Sequence, residues 1–421
     1  MVSDVSLDLT QFERILVIGG GKASAGMALE VERILGNKML GGSVNIPVYT
    51  KPWPRSSRIE FNPATHPIPS EKGVRGVKKM LQLVDEPSRR DLVMCLISGG
   101  GSALMPFPAK GVRLSDKQQT TELLLKSGAT IQETNTVRKH LSGIKGGRLA
   151  EKLFPSTVVS VIVSDVVGDD PESIASGPTV PDYTTFEDAF NVLQRHGLWH
   201  MVPKSVRYHI SRGRRGGLEE TPKSRSSVFR QVHNVIVGSS KVACEAAAKA
   251  LRKRGYRPLI LSTRIQGEAR DVGRILTGIV SDIRRNQIPF SPPAALVAGG
   301  ETTVTVHGKG RGGRNQELAL ASAFSLGSIP GVLFASIGTD GVDGPTDAAG
   351  AVVDGTTIER GLKMGLDAQG FLDANNSYPF FKKLGDLIVT GPTGTNVNDV
   401  MIAIVENVKQ KHDRTRKSVR H

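Results

Sequence analysis

The chain has 421 residues, longer than one ordinary domain and comfortable for two. Its 38% hydrophobic content, with 47 Gly and 23 Pro, suits a globular α/β protein with many tight turns and excludes a collagen, a coiled coil or a wholly disordered chain. The net charge of +15 is concentrated, with eight basic and two acidic residues between Lys204 and Arg230 and six basic and one acidic from Lys409 to His421. No nucleic-acid motif accompanies either segment, so both read as solvated, and no nucleic-acid partner is expected.

No apolar run approaches the roughly 18 residues that span a bilayer, so no membrane association is expected. MVSDVSLDLT at the start lacks a basic segment followed by an apolar core; a cytoplasmic protein without a secretory leader is expected. The two cysteines, Cys95 and Cys244, sit among apolar and small residues and read as buried free thiols.

In chain order, β-branched apolar runs pass through glycine turns into helical stretches. The pattern opens at Arg14–Leu35 and recurs at Leu92–Leu104, Val158–Val167, Val235–Arg254, Ala294–Thr302 and Val332–Gly338. Continuous apolar strands are buried on both faces, as parallel strands between helix layers are, so the expected class is α/β with largely parallel sheets. Helices are predicted over Lys117–Ser127, Asn135–Leu153, Phe186–His196 and Glu317–Phe324. The Gly-, Ser- and charge-rich stretch Ser211–Ser227 separates two expected domains, 1–215 and 228–421.

The first turn, Gly19-Gly20-Gly21-Lys22-Ala23-Ser24, follows a strand and opens a helix. Glycine lets backbone approach a ligand, unpaired N–H groups attract anions, and Lys22 adds a full charge. A plain strand–helix turn is the alternative. The phosphate loop GxxxxGK[ST] is not met. GxGxxG is met only in part, without the ribose-binding acid about 20 residues on.

The second turn, Ser98-Gly99-Gly100-Gly101-Ser102, can form a nest for phosphate oxygens. It fails the GxSxG elbow of serine hydrolases. Asp165, Asp169 and Asp170 follow the strand VVSVIV, where parallel sheets bind ligands; they suit Mg²⁺, or cap and hydrate a loop. In the second half, Gly308–Glu317 sets Arg314, Asn315 and Gln316 before a helix, and an arginine fork there suits a carboxylate or phosphate. Gly299–Thr302, Gly338-Thr339-Asp340-Gly341 and Thr393–Asn396 add three polar turns. No Cys/His cluster has zinc spacing, and His66 and His140 read as structural.

Together, THPIPSE from Thr65, LISGGGSAL, NTVRKHLSGIKGGRLAE, VSDVVGDDPESIASGP, GGETTVTV, GRGGRNQELAL, GTDGVDGPTDAAG and TGPTGTNVND resemble the glycerate 2-kinases that carry a C-terminal MOFRL domain. The segments span residues 15 to 400 in the family's order. Thr65 departs from the family's glycine, and Gly20 and Ser24 loosen the first loop.

The resemblance implies two Rossmann-like α/β domains with the active site in the cleft between them. It also implies ATP- and Mg²⁺-dependent phosphorylation of D-glycerate to 2-phosphoglycerate by a monomer or homodimer. The family's important lysine and arginine fall on Lys22 and Arg314. Lys22 is expected to neutralise the transferring phosphoryl and Arg314 to grip the glycerate carboxylate or share the phosphoryl, roles that could be exchanged. Gly21 and Ser98–Ser102 are expected to hold substrate or nucleotide oxygens, with Asn135, Lys145, Asn315 and Asp340 as further binding residues. Asp165 or Asp169 would carry Mg²⁺ or orient the 2-hydroxyl. The rival reading is a nicotinamide-dependent hydroxypyruvate reductase, against which the missing ribose-binding acid counts.

Overall fold

The computed structural model describes residues 5–407; the basic tail from Lys409 lies outside them. Six strands form the first sheet: β1 (Arg14–Gly20), β2 (Gly41–Pro47), β3 (Ile59–Ala64), β4 (Asp91–Ser98), β5 (Thr157–Val163) and β6 (Val232–Gly238). Their order is β3-β2-β1-β4-β5-β6, and every pairing is parallel. The apolar runs are buried on both faces because successive side chains point to opposite sides. Leu16, Ile18, Val93, Cys95, Ile97 and Val158 enter one core cluster, while Ile15, Val17, Leu92, Met94, Leu96 and Val159 enter the other.

The chain leaves β1 toward β2 and β3, then returns to place β4 on the other side of β1. The direction of winding therefore reverses between β1 and β4, and such a reversal opens a crevice at the carboxyl ends of the two strands. Both glycine turns lie there. The helices Leu114–Lys126, Ile131–His140, Phe186–Arg195 and Lys204–Arg214 supply a separate core around Leu124, Val137, Leu193 and Ile210.

The second sheet contains β7 (Arg257–Glu268), β8 (Ala294–Thr303), β9 (Val332–Gly338), β10 (Gly350–Asp354), β11 (Leu387–Ile388) and β12 (Asp399–Val405), in the order β11-β10-β9-β12-β8-β7. Here the expectation of a largely parallel sheet is corrected. Only β7 and β8 pair in parallel; β12 lies antiparallel between β8 and β9, and β10 is antiparallel to β9 and β11. An apolar run reports burial of both strand faces, not strand direction, so the sequence pattern is the same in the two sheets.

The chain forms two compact units, one reaching Ser239 and taking in Gly394–Val397, the other comprising Ser240–Thr393 and the chain from Asn398. A boundary between 215 and 228 would remove β6 from the sheet it completes. Its parallel pairing with β5 places it in the first unit. Among the described residues no helix is long and apolar enough to cross a membrane.

Candidate active site

In the first unit the two glycine turns are stitched together. The Lys22 N–H donates to Gly99 O at 2.8 Å, and the Ala23 N–H to the Ser98 hydroxyl at 3.0 Å. Ser98 Oγ is also 3.3 Å from Ser24 Oγ, and Ser102 Oγ lies 2.8 Å from Ser176 Oγ. Ser176 in turn donates to Asn135 Oδ1 at 3.1 Å. The hydroxyls of Ser98 and Ser102 and the Asn135 amide thus hold the turn's shape. What the turn offers a ligand is backbone, since the N–H groups of Gly99 and Gly100 donate to no acceptor among the described residues.

Asp165 and His66 pack against this turn. A Cβ on Gly99 would lie 1.9 Å from Asp165 Oδ2, so only glycine leaves room for the carboxylate. Gly100, with φ +76°, would bring a Cβ within 2.9 Å of His66 Cδ2 and 3.3 Å of Lys22 Cγ. Burial raises the Asp165 carboxyl above its ordinary value, with Lys22 opposing that shift. Burial and then the Lys22 charge lower the His66 imidazole.

Neither side chain has a side-chain hydrogen-bond partner among the described residues. His66 is only partly buried and stands beside Gly100 and Lys22 rather than in the core. His140 is structural as read: it is buried, with Nδ1 2.8 Å from Thr136 O and Nε2 3.3 Å from Glu220. Asp169, in a left-handed turn at φ +58°, has an N–H that donates to Val166 O. Cys95 and Cys244 are buried free thiols, and burial pushes Cys95 up to about 12.

In the second unit, Arg314 begins the helix Arg314–Leu326. Its Nε and Nη2 donate to the two Asp399 oxygens at 2.6 and 3.0 Å, and Nη1 donates to Glu301 at 2.8 Å. Burial works against the Arg314 charge, but the bond to Asp399 and the charges of Asp399, Glu301 and Asp343 outweigh it, so its pKa is raised. Burial raises the Asp399 carboxyl, and Arg314 opposes the rise. Three of the guanidinium's five N–H groups are thereby occupied, leaving two for a ligand. Asp340 accepts from the Val342 N–H at 3.1 Å, and its charge adds to the upward shift of Asp399.

Asn315 is buried, donating to Asp343 and accepting from Ser336 Oγ at 2.6 Å, so it braces the start of the helix. The buried Asp343 carboxylate accepts from the N–H groups of Asn315 and Gln316 and from both side-chain amides. Removing it strands two N–H groups at a helix start. Asp343→Ala is expected to cost about 3 kcal/mol of unfolding free energy, measured by urea denaturation. A loss below about 1 kcal/mol would show that the cap is dispensable.

Asp399, Asp343, Glu301 and His66 were not selected from sequence. All four stood inside recognised motifs, but nothing local pairs Asp399 with Arg314 or Asp343 with Asn315, since those partners lie 85 and 28 residues away.

Residues 2–211 match the family described as "Domain of unknown function (DUF4147)", and residues 294–399 match the MOFRL family. A glycerate 2-kinase of Pyrococcus horikoshii is 48% identical over 93% of this chain and 87% of its own. A crystal structure of the Thermotoga maritima glycerate kinase superposes with a TM-score of 0.88 at 43% identity, covering 94% of this chain and 92% of that one.

The chain belongs to the glycerate kinase family.

An Agrobacterium vitis relative, 43% identical over 93% of this chain and 87% of its own, carries the name of a hydroxypyruvate reductase. The family thus includes the name of the rival reading, although the relative at 48% identity is named as a kinase.

Proposed function

We propose that the protein transfers the γ-phosphoryl group of ATP to the 2-hydroxyl of D-glycerate, giving 2-phosphoglycerate and ADP. The observation that carries this reading is the convergence of Lys22 and Asp165, whose carboxylate no other side chain hydrogen-bonds among the described residues, on a glycine turn with unused N–H groups, in a chain of this family.

Phosphoryl transfer asks the protein for positioning and charge neutralisation more than for covalent chemistry. The Gly99 and Gly100 N–H groups would bind phosphate oxygens, and Lys22 would neutralise charge as the phosphoryl moves. Asp165 would accept the proton of the 2-hydroxyl or orient it. Arg314, backed by Asp399, would hold the glycerate carboxylate or share the phosphoryl.

Among the described residues no group of three His, Cys, Asp or Glu side chains could cage a metal. A Mg²⁺ ion held by one or two carboxylates together with substrate phosphates and water needs no such group. Asp165 fits as the carboxylate with oxygens to spare, with Asp169 as a second. Mg²⁺ bound there would supply charge neutralisation on the phosphates.

Purified protein given D-glycerate and ATP should form 2-phosphoglycerate, and complete chelation of divalent cations should stop it. Turnover indifferent to chelation would remove the metal from the reaction. NADH oxidation with hydroxypyruvate, without phosphoryl transfer, would replace this reading with the reductase.

A further inference from the structure

Three cationic side chains in the first unit, Lys117 and Lys145 buried and Arg138 partly so, have no counter-charge. Lys145 is 1% exposed and Lys117 5% exposed. Lys145 Nζ donates to Ala175 O at 3.0 Å, and Lys117 Nζ reaches Arg138 O at 3.4 Å. The Arg138 Nε is buried and has no hydrogen-bond partner. None of the three forms an ion pair among the described residues, whereas the adjacent Lys139 is paired with Glu172 and Asp182.

The three charges also oppose one another. Burial, then Lys117 and Arg138, hold the Lys145 ammonium well below its ordinary value. Burial, then Arg138, bring Lys117 down to about 7. An isolated buried charge costs several kcal/mol after relaxation, and an arginine cannot escape that cost by losing its proton.

The cluster adjoins the glycine turn. Ala175, which takes the Lys145 bond, and Ser176 both have left-handed backbones, at φ +51° and +62°. Ser176 is bonded to Ser102 and Asn135. A Cβ on Gly101 would lie 2.8 Å from Ala175 Cβ. Strained residues of this kind persist where surrounding structure over-determines them, and they cluster at ligand sites.

We propose that Lys117, Arg138 and Lys145 form an inner subsite for a dianionic phosphate group. A carboxylate brings one negative charge, whereas a phosphate monoester brings nearly two and more acceptor oxygens, a better match to three cations. Assigning the phosphate to the nucleotide or to the phosphorylated product rests on the kinase reading; the presence of the site does not.

Calorimetric titration of the full chain with inorganic phosphate, ADP and 2-phosphoglycerate tests it, alongside Lys117→Met, Lys145→Met and Arg138→Lys. The methionine variants should bind phosphate at least about 10-fold more weakly, while their ligand-free Tm stays level or rises because a buried unpaired charge has gone. A brace for the Ala175 segment predicts the reverse, a lower Tm with phosphate affinity kept, and that result would overturn the subsite. So would wild-type protein that gains no thermal stability from any of the three ligands, a measurement that needs no variant to fold. Weakening confined to ADP identifies the nucleotide as the source, and weakening confined to 2-phosphoglycerate identifies the product. Phosphate binding that depends on these residues, in a protein without glycerate kinase turnover, would keep the subsite and discard the kinase reading.

Discussion

Lys22→Ala is expected to lower kcat for glycerate phosphorylation on the order of 100-fold, about 3 kcal/mol, with a smaller change in KM for glycerate. The local fold should survive. The turn is held by the Lys22 and Ala23 peptide N–H groups, which alanine keeps, so the substitution removes the ammonium and little else. An interaction strengthened only as charge develops appears in kcat, while one shared with bound substrate appears in KM.

The variant has a second signature. The Lys22 charge lowers both Asp165 and His66, so its removal should move both groups upward in pH. For a carboxylate that must be ionised to accept a proton, the acid limb of the kcat profile then shifts to higher pH. For His66, the imidazole titration followed by NMR should move toward its ordinary value. A folded Lys22→Ala enzyme within about threefold of wild type, with neither titration moved, would assign the lysine to the solvated surface.

Much of the first sheet was legible because β1, β4 and β5 are dominantly apolar runs that end in, or lead directly into, glycine or small polar residues. What escaped notice had identifiable physical causes. The helix Lys204–Arg214 buries Val206, His209, Ile210 and Gly213 along one face, but Lys204 and the three arginines away from that face dominate the composition. The segment Asn135–Leu153 reads as one helix, yet it breaks after His140 and resumes at Arg148. Gly146 and Gly147 there adopt φ of +59° and +81°, and a helical period cannot reveal such a break.

The site divides in the same way. Gly21, Lys22, the Ser98–Ser102 turn and Arg314 announce themselves by spacing, since glycines beside a cation have few other uses. Their supports do not. Asp399 stands at the start of β12, and only the antiparallel insertion of that strand between β8 and β9 brings it to Arg314. Lys117 is harder still, for a lysine in a helical stretch reads as solvated until packing shows otherwise, and Lys145, named through the resemblance, gave no sign of its burial.

Arg314→Ala is expected to have two separable effects. Asp399 is fully buried and Arg314 is its ion-pair partner, so truncation leaves an uncompensated carboxylate. That loss should cost about 3 to 5 kcal/mol of stability, read from urea denaturation. If Arg314 also holds the glycerate carboxylate, KM for glycerate should rise at least about 10-fold while KM for ATP stays closer to normal. Arg314→Lys should recover part of the stability, since an ammonium can still pair with Asp399, but less of the KM, since it lacks the planar fork. The double variant Arg314→Ala with Asp399→Asn separates the effects. Neutralising the stranded carboxylate should return much of the lost stability while glycerate affinity stays low. Recovery of affinity together with stability would make Arg314 a structural partner of Asp399 alone. An Arg314→Ala enzyme impaired only toward ATP would move the arginine to the phosphoryl group and leave the glycerate carboxylate to another residue.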